Sequence, residues 1–239
     1  MKIITIPHPT LRTVAAPVTQ VDKKLLGVIA DLEKTLQSQR NPKGVGLAAP
    51  QIDIKWRMFA LRLPELALQT GLDPRARREV DIQMDPDLRQ DDDGRQDDED
   101  TQDDENIGIK ILINPQIIDH SRQKSFGANK DDDTLEGCLS VPGVYGPIPR
   151  WGDITLQYDV LIEQELVSRT DKFKDFAARV IQHERDHLDG ILFTDYTFEL
   201  GLPLYREDEK TKKLKEISPE MIAALYEKSK WVLLLFLSL

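Results

Sequence analysis

The chain has one cysteine, Cys138, and only four histidines among 239 residues. A lone thiol cannot close an internal disulfide, and it rules out a zinc site built from several thiolates. No signal-like or transit-like stretch comes before the segment that starts at Ile6, so with its single cysteine the chain reads as cytoplasmic. No apolar run reaches the roughly 20 residues a membrane helix needs, so no transmembrane segment is expected. The last nine residues, Trp231 to Leu239, would cross about half of a bilayer core and read as packing on the domain or on a partner. No repeat of solenoid period is present, and the length suits one domain of ordinary size. Net charge is close to zero everywhere but one place. Of the net −10, ten acidic residues and one arginine between Asp91 and Glu105 supply −9, which leaves −1 for everything else. That balance gives no reason to expect direct DNA binding. The run has nothing apolar to bury and reads as a disordered acidic loop without the ligand spacing of a calcium-binding EF-hand.

What is present is concentrated in Gln182-His183-Glu184-Arg185-Asp186-His187-Leu188-Asp189-Gly190. Phe176, Val180, His183 and His187 form one helical stripe, and Ala177, Ile181, Glu184 and Leu188 form the next. Gly190 supplies a stop, and Asp171 or Asp175 a cap at the start. Histidines at i and i+4 share a helix face, so both imidazoles can reach one metal ion with Glu184 beside it. The plainer reading is two core histidines hydrogen-bonded to backbone. It explains a neighbouring buried carboxylate poorly, because an unpaired buried charge is costly.

A catalytic metal site needs a third protein ligand and an open position. Cys138 stands in Leu135-Glu136-Gly137-Cys138-Leu139-Ser140, just before the turn-rich run Val141 to Pro147. His120, in a polar segment, and His8, between prolines, both read as surface loop, so Cys138 is the better candidate. Its plain alternative is a small buried hydrophobe. A further segment, Gly44-Val45-Gly46-Leu47-Ala48-Ala49-Pro50-Gln51, has glycines that let backbone approach a ligand closely. It lacks the Lys-Ser/Thr ending of a nucleotide-binding loop.

Taken in order, G-x-G-L-A-A-P-Q, E-G-C-L-S and Q-H-E-x-D-H-L-x-G resemble the three signature motifs of peptide deformylases. The resemblance runs from Ile6-Pro7-His8-Pro9-Thr10-Leu11-Arg12 to about Asp195, broken by an insertion at about 64–106. It implies an α+β fold in which short antiparallel strands surround a central metal-binding helix. It also implies a catalytic domain over 1–200 and a C-terminal extension over 201–239. By that resemblance Cys138, His183 and His187 ligate one divalent ion, Fe(II) first, with Zn(II), Ni(II) or Co(II) able to replace it. Glu184 becomes general base and acid. The Leu139 N–H and the Gln51 amide become oxyanion donors, and Val45, Gly46, Gly137 and Tyr145 contact the substrate. The implied reaction removes the formyl group from N-formyl-methionyl nascent peptides and releases formate. The resemblance also makes the extension, with its basic residues Lys210, Lys212, Lys213 and Lys215, a candidate for contact with the ribosome.

A zincin-type metallopeptidase uses the same helix, with a third ligand from downstream, where Asp189, Asp195 and Glu199 are available. It leaves Cys138 and the glycine loop unexplained. A closed structural zinc site would need a fourth protein ligand. For the scaffold, Lys23 to Ser38 reads as a helix, with Leu25, Ile29, Leu32 and Leu36 on one stripe. Trp56 to Leu61 and Lys110 to Ile113 read as short buried strands, and Ile154 to Val160 alternates as a half-buried strand should.

Overall fold

The computed structural model describes residues 1–39, 44–64, 107–127, 135–208, 210, 211, 213–218 and 220–224. The acidic run 91–105 and the apolar tail 231–239 fall outside the described residues. Helix α1 spans Lys23–Ser38 and is capped by the Asp22 carboxylate, which accepts from Leu25 N–H at 2.8 Å. Five antiparallel strands follow one another across the main sheet in the order β1 (Gly46–Ala48), β2 (Met58–Pro64), β3 (Ile107–His120), β8 (Asp153–Ile162) and β9 (Glu165–Lys174). Helix α2 spans Asp175–Leu188, and α3 spans Phe193–Leu200.

The pleat of the main sheet assigns alternate residues to two different cores. On β2, Phe59, Leu61 and Leu63 join Ala177, Ala178 and Ile181 of α2, whereas Met58 and Ala60 join Leu25, Leu32 and Leu36 of α1. The sheet is thus buried on both faces, and α2 lies across one of them. Its apolar stripe faces the sheet, as the sequence spacing requires. Among the described residues no helix is long and apolar enough to cross a membrane.

A second sheet runs β11 (Leu214–Glu216), β10 (Tyr205–Glu207), β6 (Val141–Gly146) and β5 (Glu136–Cys138). The run expected to be turns is therefore largely strand β6. Cys138 ends β5, opposite Val141 across a bulge. Two short strands, β4 (Lys124–Ser125) and β7 (Arg150–Trp151), pair separately. Several boundaries differ from those read in the sequence. His120 closes the long strand β3 and stacks on Trp151, with ring centroids 3.8 Å apart, so it is not in a loop. Neither Asp171 nor Asp175 caps α2. Lys174 stands at that position without a side-chain cap, Asp175 is the first helical residue, and Asp171 accepts the Tyr158 hydroxyl from within β9. His8 precedes a short 3-10 turn, Pro9–Arg12.

An N-terminal strap ties together segments far apart in the sequence. Ile4 N–H donates to Gln51 O at 2.9 Å, Ile6 N–H to Ser140 O at 3.1 Å and Ala15 N–H to Leu188 O at 2.8 Å. Arg12 grips Asp195 with two N–H groups, and Gly190, at φ 71°, packs so closely on the Arg12 backbone that a Cβ would lie 2.8 Å away.

Candidate active site

The periodicity that drives α2 onto the sheet also carries three polar side chains inward. His187 and Glu184 are buried at 1% and 3% exposure, and His183 is nearly so. The end of β5 brings Cys138 to the same place. One ligand atom from each of Cys138, His183 and His187 lies within 4.8 Å of the others, and Cys138 Sγ is 3.2 Å from His187 Nε2. One thiol and two imidazoles form a donor set suited to a divalent transition metal. His183 Nδ1 lies 3.1 Å from Glu136 Oε2, which leaves Nε2 as the ring nitrogen available to a metal.

Glu184 sits against this cluster under unusual conditions. Its Oε2 is buried without a hydrogen-bond partner, and Oε1 lies so close to Gly46 that a Cβ there would be only 2.3 Å from it. Glycine at 46 is what lets the carboxyl enter. Burial pushes the Glu184 carboxyl up to about 7, although the neighbouring His183 works in the opposite direction. Burial opposes charge on His183 too, but its contacts with Cys138 and Glu136 hold it well above the usual imidazole value. His187 is held well below by burial and by the charge of His183.

The loop after β1 aims a donor at the cluster. Gln51 Oε1 accepts the Ala48 N–H at 2.8 Å, and this bond fixes the orientation of the amide. Its Nε2 then reaches Ser140 Oγ at 3.2 Å and Cys138 Sγ at 3.6 Å. Ser140 N–H also donates to Cys138 Sγ, at 3.4 Å. Arg62 N–H is bonded to the Val45 carbonyl at 2.8 Å, so the alternation of the ladder turns the Gly46 N–H and C=O toward the outer edge of β1. Leu139 follows Cys138 at the turn into β6, and Gly137 lies beneath the Tyr145 ring on the same sheet.

Sequence reasoning missed the ion network behind the cluster. Arg150 donates to both oxygens of Glu136, each at 2.9 Å, and also to Asp186. Arg179 adds a bond to Glu136 at 2.7 Å, and the Tyr196 hydroxyl donates to Asp186 at 3.2 Å. Burial alone would raise the Glu136 carboxyl, but Arg150 and His183 hold it well below the usual range. Gln182, inside the histidine motif, bonds both N–H and C=O of Trp151, at 3.0 and 2.8 Å. The only signal for Glu136, Gln182 and Asp186 was that they sit inside the motifs, while nothing marked Arg150 or Arg179. Of the downstream carboxylates that a peptidase reading requires, Asp189 is bound by Arg57 and Arg185, Asp195 is bound by Arg12, and Glu199 is exposed.

The family model described as polypeptide deformylase matches residues 1–201. A peptide deformylase of Christiangramia forsetii is 32% identical over 228 residues, covering 95% of this chain and 94% of the relative. One of Rhodopirellula baltica is 33% identical over 202 residues, covering 84% of this chain and 75% of the relative. The Met-Ala-Ser-bound class I type b peptide deformylase of Acinetobacter baumannii superposes with a TM-score of 0.56 at 26% identity, covering 82% of this chain and 97% of that one. The Thermotoga maritima peptide deformylase gives 0.54 at 26% identity, covering 82% and 95%.

Proposed function

The chain belongs to the polypeptide deformylase family, and on that premise we propose which of its residues carry the reaction. It is a metal-dependent hydrolase that removes the N-formyl group from newly made polypeptides. Cys138, His183 and His187 hold the ion in this reading, and Fe(II) is its first occupant, ahead of Zn(II), Ni(II) or Co(II). When bound, the ion supplies a Lewis acid and lowers the pKa of water toward neutrality.

Glu184 accepts the proton of the attacking water at its carboxylate and delivers it to the nitrogen of the departing amine. A carboxyl near neutral pKa is matched to both halves of that task. Gln51 Nε2 and the Leu139 N–H donate to the oxygen that becomes negative when the formyl carbon is attacked. The fixed orientation of the Gln51 amide supports its role. The peptide lies as an added strand along the outer edge of β1, bonded by Gly46 beside Val45, with Gly137 and Tyr145 across from it. In the same reading, residues 1–200 are the catalytic domain with an insertion at about 64–106, and 201–239 form the extension. The exposed Lys210, Lys213 and Lys215 are the part of it offered for contact with the ribosome, and the cytoplasm is the setting.

The observation that carries this reading is the Cys138–His183–His187 cluster with a near-neutral Glu184 beside it, one of whose oxygens has no partner. Metal-loaded protein should release formate from formyl-Met-Ala-Ser and leave casein intact, whereas Cys138→Ser should lose its metal on elemental analysis. Casein cleavage without formate release would overturn the assignment in favour of a peptidase.

A further inference from the structure

The hairpin β10–β11 lies beyond residue 201, where the family match ends, yet it is hydrogen-bonded into the sheet that carries Cys138. Its register builds one row across four strands, Gly137, Tyr145, Tyr205 and Glu216. Directly opposed residues of an antiparallel ladder share a face, with Cβ atoms about 4.5–5.5 Å apart. Glu136, next to Gly137, turns its carboxylate inward to Arg150 and His183, so the row faces the other way. Within the row the Tyr145 ring lies over Gly137, where a Cβ would fall 2.7 Å from Cε1. On the other flank of Tyr145 stands Tyr205, and both tyrosines are half-buried. The segment is also anchored from the opposite face. A Cβ on Gly146 would lie 2.8 Å from Leu204 Cδ2, and Leu204, wholly buried, accepts the Ile217 N–H at 2.7 Å.

We propose that Tyr205 is a specificity-determining positioning residue. It occupies the β10 flank of Tyr145 and keeps that ring over Gly137, next to Cys138, where it meets the peptide side chains that follow formyl-methionine. The inference rests on the reading of Gly137 and Tyr145 as substrate contacts. The acid–base group and two of the three metal-binding side chains come from α2, against the opposite face, so Tyr205 acts on the choice of peptide and not on the chemical step. A half-buried phenol ring presents a flat apolar surface, and the peptides it favours carry an apolar or aromatic side chain just after the formyl-methionine.

The test compares kcat and KM for formyl-Met-Phe-Ser and formyl-Met-Ala-Ser in the metal-loaded full chain. Wild type should prefer the Phe peptide by about 3- to 10-fold, the scale of one aromatic contact. Tyr145→Ala should abolish that preference. Tyr205→Ala should lose most of it through KM, with kcat unchanged within about twofold, and Tyr205→Phe should keep it. The double variant should be no worse than Tyr145→Ala, because both changes act through one ring. Preference lost in Tyr145→Ala but intact in Tyr205→Ala would overturn the role of the hairpin and leave the Tyr145 reading standing. Preference intact in both, or absent from wild type, would overturn both. An equal loss for the two peptides, falling on kcat, would reduce Tyr205 to a structural residue and overturn the proposal. If Tyr205→Ala does not fold, Tyr205→Val removes the ring while retaining a strand-forming residue and is read in the same way.

Discussion

Glu136 and Glu184 are both buried beside His183, and their surroundings differ in almost every other respect. Glu136 receives two N–H groups from Arg150, one from Arg179 and a contact from His183, and its carboxyl is held well below its usual range. Glu184 has an oxygen with no partner, presses on a glycine backbone, and is pushed up to about 7. Two identical side chains have been given different chemistry by what surrounds them. One is set to stay charged beside a histidine, and the other, in the proposed reading, to gain and lose a proton at the pH of the reaction.

The largest expected effect comes from removing the titrating carboxyl itself. Glu184→Gln preserves shape but cannot take a proton, and kcat should fall by about 10²–10⁴-fold with metal content unchanged. Turnover within a few-fold of wild type in a formate-release assay would break the comparison at its centre. Next in size is the loss of the charged partner on the other side. Arg150→Met takes the guanidinium from the buried Asp186 and leaves Glu136 with Arg179 and His183 alone, at a cost of about 3–5 kcal/mol. In a chain of this length that lowers the melting temperature by roughly 10 °C, and an unchanged melting temperature would mean that Arg150 is not what keeps Glu136 charged.

The pH dependence of stability sharpens the contrast further. For Glu184 the folded value is raised from 4.5 to about 7, so the folded state holds the proton more tightly than the unfolded chain does. Its contribution is complete below the unfolded pKa and is lost as pH rises through about 7, by on the order of 3 kcal/mol. In metal-free protein, the stability of wild type relative to Glu184→Gln should therefore decline between about pH 5 and 8 in denaturant titrations. A flat difference would show a solvated carboxyl. Glu136, depressed in the folded state, behaves in the opposite sense, since its contribution is present above its unfolded pKa and is lost on acidification. The smallest effect is expected where neither carboxylate is touched. Pro64 and Ile107 are direct partners in the β2–β3 ladder, so the chain leaves and re-enters the sheet at one point. Replacing 65–106 by a short Gly/Ser turn should leave kcat/KM unchanged and stability equal or higher by up to about 2 kcal/mol. A large loss on this splice would give the insertion a structural or catalytic part.

Parts of this contrast were legible in the sequence, and the reason lies in range. The histidines are four residues apart on one helix, so local periodicity alone put His183 and His187 on one face and Glu184 beside them. Lys23–Ser38 and Ile154 to Val160, the middle of strand Asp153–Ile162, were equally accessible, because a 3.6-residue or 2-residue rhythm is written directly in the chain. Arg150 was not. It reaches Glu136 and Asp186 only because β5, β7 and α2 converge, and nothing local to Pro149-Arg150-Trp151 announces that. Strand β6 was hidden for a different reason, since Pro142, Gly143 and Gly146 read as turns. Gly143 does take φ 71°, but Gly146 is a glycine because Leu204 occupies the place of its Cβ.

The N-terminal strap has a consequence for the order in which the molecule is assembled. Residues 4–15 touch the Gln51 loop, the Ser140 turn and the end of α2, the three places from which the site draws its groups. The Arg12–Asp195 pair spans 183 residues of sequence. Contacts of that range close late, after the entropy of a long loop has been overcome. During synthesis residues 4–15 emerge before the segments they bind, and Arg12 can pair only once Asp195 has followed it out. Until then the Gln51 segment, the turn after Cys138 and the end of α2 lack their common tie. The enzyme completes its own site only when almost all of the catalytic sequence has been made.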